Sequence, residues 1–213
     1  MTRRALITLA LAAVMLGTTG CRTIMTTMAY LIVGPTVEAD YQGLEKKTVL
    51  VVVRPSAHVD WGYTSVDKEL AREIAMLLRT NVRKIKVVDH QKVANWLDEN
   101  QWNEYTEVGE ALKADMVLGI DLLEFGLYQG QTLYQGQASC NLTVYDMEED
   151  GAVVFEKALP RTLYPPNTGI PAAEMPESQF RRRFISKLAD QIGRHFYRHD
   201  PHADIGLDGD AIE

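Results

Sequence analysis

The sequence predicts a mixed α/β fold. The expected form is a two-layer sandwich with a β-α-β start, a three-stranded antiparallel meander and a long C-terminal helix. Three observations predict it. Residues 48–53 are an unbroken apolar run between Lys46-Lys47 and Arg54-Pro55, the pattern of a central strand buried on both faces. Residues 135–146 alternate. Ala138, Cys140, Leu142 and Val144 point one way and Ser139, Asn141, Thr143 and Tyr145 the other, as in an antiparallel strand with one solvated face. Phe180, Phe184, Leu188, Ile192 and Phe196 recur every fourth residue, with Ile185 and Ala189 widening the stripe. That is the apolar face of an amphipathic helix.

The elements follow in order. After the first strand, residues 56–63 form a loop. Val66, Leu70, Ile74, Leu77 and Leu78 then recur at helical spacing, with Thr64 or Ser65 as the cap and an end near Asn81. Residues 84–88 make a short second strand. Asp89 caps a second helix carrying Val93, Trp96 and Leu97. Thr106 caps a third carrying Val108, Ala111 and Leu112, weakened by Gly109. Residues 116–128 form a strand that is apolar on both faces at first and amphipathic after Asp121. Gln129-Gly130-Gln131 turns it into the alternating strand, and residues 148–151 turn again into a last strand through Val153, Phe155 and Leu159 to Tyr164. A proline-rich loop leads to Pro176, which suits a first helical turn. Helical connections predict parallel pairing early and short turns antiparallel pairing late, with helices over one face.

Residues 1–20 have the anatomy of an export signal. Arg3 and Arg4 precede an apolar run over residues 5–16, broken only by Thr8, and small residues follow. The run falls short of the ~20 residues a transmembrane helix needs. Cys21 directly follows Gly20, which makes the segment resemble a bacterial lipoprotein signal, although Thr18 stands where an aliphatic residue is usual. The resemblance implies that Cys21 becomes the mature N-terminus and carries acyl chains, palmitate among them. It also implies an envelope location, tethered to a membrane facing the periplasm. Arg22, in place of an aspartate, leans toward the outer membrane. Residues 21–47 are then the lipidated N-terminus and a lead-in, residues 48–199 the single α/β periplasmic domain, and residues 200–213 an acidic tail expected to be disordered.

The chain has 213 residues, 46% of them hydrophobic and 24% charged, and a formal charge of −7. That suits one globular domain with tails. Removing Arg3 and Arg4 with the signal leaves the mature chain more acidic still, which argues against a nucleic-acid partner. With Cys21 lipidated, Cys140 is alone and no internal disulfide can form. Cys140 is read as a small buried strand residue.

Residues 48–53, the stretch Val87-Val88-Asp89-His90-Gln91-Lys92-Val93 and the stretch Ala114-Asp115-Met116-Val117-Leu118-Gly119 together resemble a group of envelope proteins. These are the periplasmic domains of the TolB amino-terminal, curli-secretion CsgG and LpoB penicillin-binding-protein-activator type. The resemblance covers residues 48–198. It implies an adaptor, assembly part or activator rather than an enzyme, and a protein partner in the envelope. The second domain of TolB has no counterpart here.

Candidate chemistry is sparse. His58, Asp60, Trp61 and Tyr63 sit in the loop at the carboxyl end of the first strand, where ligands bind in α/β sheets. They define the alternative function, a small-ligand-binding module using residues 58–63. No nucleophile motif, metal motif or phosphate-cradling glycine loop accompanies them, so no catalytic residue and no cofactor is expected. His195, His199 and His202 approach metal-ligand spacing but read as a solvated helix end. Arg181, Arg182, Arg183, Lys187 and Arg194 read as a solvated basic face, with anionic lipid or an acidic partner as the alternative. Tyr128, Tyr134 and Tyr145 are either a binding face or cross-strand pairs. The expectation is a membrane-anchored envelope lipoprotein whose domain binds another protein.

Overall fold

β1 (Thr48–Pro55) is the strand against which the parallel half of the sheet forms. On one side it pairs with β3 (Met116–Gln129), parallel, from Val49 through Pro55. On the other it pairs with β2 (Lys86–Val87), also parallel, but only through Thr48 and Val49. β3 continues antiparallel into β4 (Leu133–Asp146), with register shifts at Leu122/Glu124 and Gly126/Tyr128. β5 (Ala152–Ala158), β6 (Thr162–Tyr164) and β7 (Ile170–Pro171) all pair antiparallel with β4. The strand order is β2-β1-β3-β4-β5. The computed structural model describes residues 36–56 and 65–201.

Helices supply the crossovers that parallel strands need. α1 (Val66–Asn81) joins β1 to β2, α2 (His90–Glu99) and α3 (Tyr105–Leu112) join β2 to β3, and α4 (Glu177–Gly193) follows the meander. Alternation sorts the strand residues between two cores. Val49, Val51, Val53, Leu118, Ile120, Leu122, Cys140, Leu142 and Val144 face α1 and α4, and meet Leu70, Ile74, Leu78, Phe180, Phe184, Leu188 and Ile192. Burying each such aliphatic or aromatic side chain contributes ~1.5–3 kcal/mol. Leu50, Val52 and Val117 face the other way, onto Val93, Tyr105, Val108 and Leu112. The mixed sheet, the β-α-β start, the meander and the closing helix are as the sequence predicts. Helices are not confined to one face: the two short ones lie on the second face, over β1 and β3, with Tyr145 of β4 reaching Tyr105 at their edge. β4 is left with half-buried Asn141 and Thr143 on that side.

Several local features differ from expectation for identifiable reasons. β2 is two residues long, because Lys84 turns the chain through a left-handed φ of 56° just before it. Ser65 takes the N-cap position of α1 with a left-handed φ of 75° and no side-chain cap bond. Asp89 caps α2 as predicted, accepting from the backbone N–H groups of Gln91 and Lys92. The cap of α3 is Glu104, whose N–H donates to the Glu107 carboxylate at 3.2 Å; Thr106 lies inside the first turn. The last meander strand is split in two around Pro160.

The chain enters this core before β1. Leu44 is fully buried, and Tyr41 packs on Phe155 while its N–H donates to the His195 carbonyl at 3.0 Å. Asp40 accepts from Lys157 at 2.5 Å and lies 2.6 Å from His195 Nδ1, and Glu38 pairs with Arg198. The unit Glu38–Arg198 is compact. Outside that unit, Val37 and His199 form an isolated antiparallel bridge with each other. Among the described residues no helix is long and apolar enough to cross a membrane.

Candidate functional site

The outer edge of β1 runs along the floor of a groove. Which backbone groups face it follows from the ladder. The carbonyls of Lys47 and Val49 accept from Lys86 and Val88 on the β2 side, whereas the carbonyl of Thr48 accepts from Asp115 on the β3 side. A strand alternates, so Val51 and Val53 direct their N–H and C=O groups to the same side as Lys47 and Val49. β2 has ended by then, and among the described residues no strand pairs with this stretch. Val51 and Val53 are only 5% and 4% exposed, so these groups lie at the bottom of the groove rather than on an open edge. The cavity measures about 440 Å³. Its walls are α1, with Asp67, Lys68 and Ala71, and α2, with His90, Val93, Ala94 and Leu97. Lys68 of α1 donates to both carboxylate oxygens of Asp98 on α2, at 2.7 and 2.8 Å, and links the two walls.

A second polar cluster sits at the carboxyl end of β1, on the α3 side. Arg54 and Asp121 are in register on paired strands, and the guanidinium donates to Asp121 Oδ1 at 2.9 Å. Its Nη1 donates to the Asn103 carbonyl at 3.0 Å. The Tyr105 hydroxyl donates to the same Asp121 oxygen at 3.0 Å. Arg54 lies over two rings, 4.7 Å from the centroid of Tyr105 and 5.8 Å from that of Trp102. Tyr145 of β4 completes the group, 5.7 Å from Tyr105. Burial, with Asp121 beside it, holds the Tyr105 hydroxyl well above the usual phenol range. It is therefore a fixed neutral donor. Arg54 and Tyr105 both donate to Asp121, so the three hold one another in place.

The residues singled out from the sequence fare unevenly. Cys21, His58, Asp60, Trp61, Tyr63 and His202 lie outside the described residues. Cys140 is buried on the core side of β4, where burial pushes its thiol up to about 12, far from a reactive thiolate. His195 is held by Asp40. Among the described residues no group of three or more His, Cys, Asp or Glu side chains is placed to hold a metal. Arg181 pairs with Glu69 of α1 at 2.9 Å. Tyr128 and Tyr134 are a cross-strand ring pair at 5.0 Å; Tyr134 is buried against Phe180 and the Tyr128 hydroxyl donates to Glu177 at 2.6 Å.

The groove and the Arg54 cluster were not singled out by motif. Their one sequence signal is the length of residues 48–53 against the shorter second strand, together with the arginine that ends the run.

No family model and no curated protein sequence matches the chain. Solved structures do resemble it. A PelC dodecamer from Paraburkholderia phytofirmans is 13% identical over 72% of this chain and 93% of that one, with a TM-score of 0.42. The lipoprotein GNA1162 from Neisseria meningitidis is 14% identical over 68% and 97%, with a TM-score of 0.44. The LpoB C-terminal domain from Salmonella enterica is 11% identical over 56% and 82%, with a TM-score of 0.39. LpoB, one of the proteins the sequence resembles, is thus among them. At these identities and scores they bear on no individual residue.

Proposed function

We propose that this chain is a lipid-anchored envelope protein whose α/β domain binds another protein and carries no catalytic activity of its own. The observation that carries the protein-binding part is the groove at β1, with buried strand-edge groups on its floor, apolar residues on its walls and a polar rim. That layout is the anatomy of a recognition surface, in which a dry centre is ringed by hydrated side chains. The anchor rests on Gly20-Cys21 behind the signal-like segment. Arg22 next to the cysteine favours the outer membrane. A non-enzymatic role is supported by the inert Cys140 thiol and by the internally matched Arg54, Tyr105 and Asp121.

Two experiments test this reading. Radiolabelled palmitate should enter the wild-type chain and not Cys21→Ser; equal labelling of both rules out the anchor. A photo-crosslinking amino acid placed in cells at Asn95, in the groove, and separately at Glu156, on β5, should capture one specific envelope protein from at least one site. Capture of nothing from either site rules out the adaptor.

A further inference from the structure

We propose that the groove between α1 and α2 receives an extended peptide segment of the partner, which pairs with β1 as an added strand. The proposal rests on the protein-binding reading above and specifies its mode. Four backbone groups line the floor, the N–H and C=O of Val51 and of Val53, repeating every second residue along one line. Buried main-chain donors and acceptors require partners. A rounded small molecule can meet one or two of them. A strand meets all four, because its own groups repeat at the same interval. The available edge runs from Val51 to Pro55, where the missing proline N–H ends it. At about 3.3 Å per residue that is room for roughly four residues.

The walls fit the same occupant. Successive side chains of an added strand point to opposite faces, here toward Ala71 on α1 and toward Ala94 and Leu97 on α2. Alanine on both walls leaves the width that a strand with small or apolar side chains fills. The lips are polar, with Asp67, Lys68, Gln91, Asn95 and Asp98. The chain therefore passes from a polar lip, between apolar wall residues, onto a buried strand edge. An exposed edge left unpaired invites indiscriminate pairing. Recessing this one between two helices restricts it to a single extended chain and excludes the edge of a whole sheet.

The test uses the full-length lipidated chain in detergent micelles and a randomised octapeptide library. Peptides are selected on the wild type and counter-selected on Ala94→Trp, which plugs the slot. Selected peptides should lose at least about tenfold in affinity, ~1.4 kcal/mol, on Ala94→Trp and on the more exposed Asn95→Trp. Circular dichroism should show both variants folded. Methylating single backbone nitrogens of a selected peptide should weaken binding at every second position and spare those between. Failure to enrich any peptide, or uniform tolerance of N-methylation, overturns the added strand. So does capture of a second copy of this chain from Asn95. A partner captured from Glu156 but not from Asn95 overturns the groove and leaves the adaptor reading standing; capture from neither site removes the adaptor itself.

Discussion

Two glycines, one for each face of the sheet, lie directly beneath aromatic rings. On the α1–α4 face, a Cβ at Gly136 would stand 2.5 Å from the Phe184 ring. On the opposite face, a Cβ at Gly119 would stand 2.9 Å from the Tyr105 ring. The close approach is the same, but the rings serve different ends. Phe184 stacks with Tyr164 and meets Phe125 in a core with few polar groups. Tyr105 ends in a hydroxyl that reaches Asp121, and a cation lies over its ring. The first face is packed for stability from Leu44 to Tyr197. The second is a small apolar patch whose border turns polar at Arg54 and Asp121. The faces should therefore respond differently to substitution.

The sharpest contrast is Phe184→Ala. A large cavity in the main core should cost ~3–5 kcal/mol. Urea titration should show a much lower midpoint at unchanged slope. A loss under ~1 kcal/mol would show that the α1–α4 face is not the main source of stability.

On the opposite face, Gly119→Ala forces Tyr105 off the sheet. Overpacking of this kind costs ~1–3 kcal/mol, and the near-ultraviolet signal of the displaced ring should change with it. If the variant unfolds like wild type with an unchanged aromatic signal, the Tyr105 ring does not press on Gly119. Tyr105→Phe is milder. It keeps the ring under Arg54 and removes one hydrogen bond to Asp121, which Arg54 still neutralises. The expected loss is ~1 kcal/mol, read in the same titration, and a loss as large as that of Phe184→Ala would make the second face an equal partner in stability.

The division between faces was legible in sequence where it depends on periodicity. The run at residues 48–53, the alternation of β4 and the four-residue stripe of α4 each reflect which side of one element meets the core. What escaped depends on contacts between distant residues. Arg54 and Asp121 meet because β1 and β3 are in register, and Tyr105 joins them because α3 folds over that register. No local pattern ties the three together. The groove escaped for a similar reason: it exists because β2 stops after Val87, and the left-handed turn at Lys84 and the cap at Asp89 limit that strand jointly. Leu44 escaped as a lone apolar residue in a polar lead-in, which has no period to betray it.

The smallest effect separates the lead-in from both faces. Hydrogen bonds from Lys157 and then His195 hold the Asp40 carboxyl below its ordinary value of 3.8. A carboxylate whose pKa is lowered by folding adds stability above its unfolded pKa and loses it as pH falls through the folded value. Asp40 is 41% exposed, so screening keeps the contribution to no more than about 0.5 kcal/mol. Thermal melts of wild type and Asp40→Asn should therefore differ slightly at neutral pH. The gap should persist down to the ordinary carboxylate range, then close in strong acid once Asp40 is protonated. The same gap at all pH values would assign the effect of the substitution to packing. A gap as large as that of Tyr105→Phe would make the lead-in a third region on which the fold depends, joined to the end of α4 and to β5 through one carboxylate.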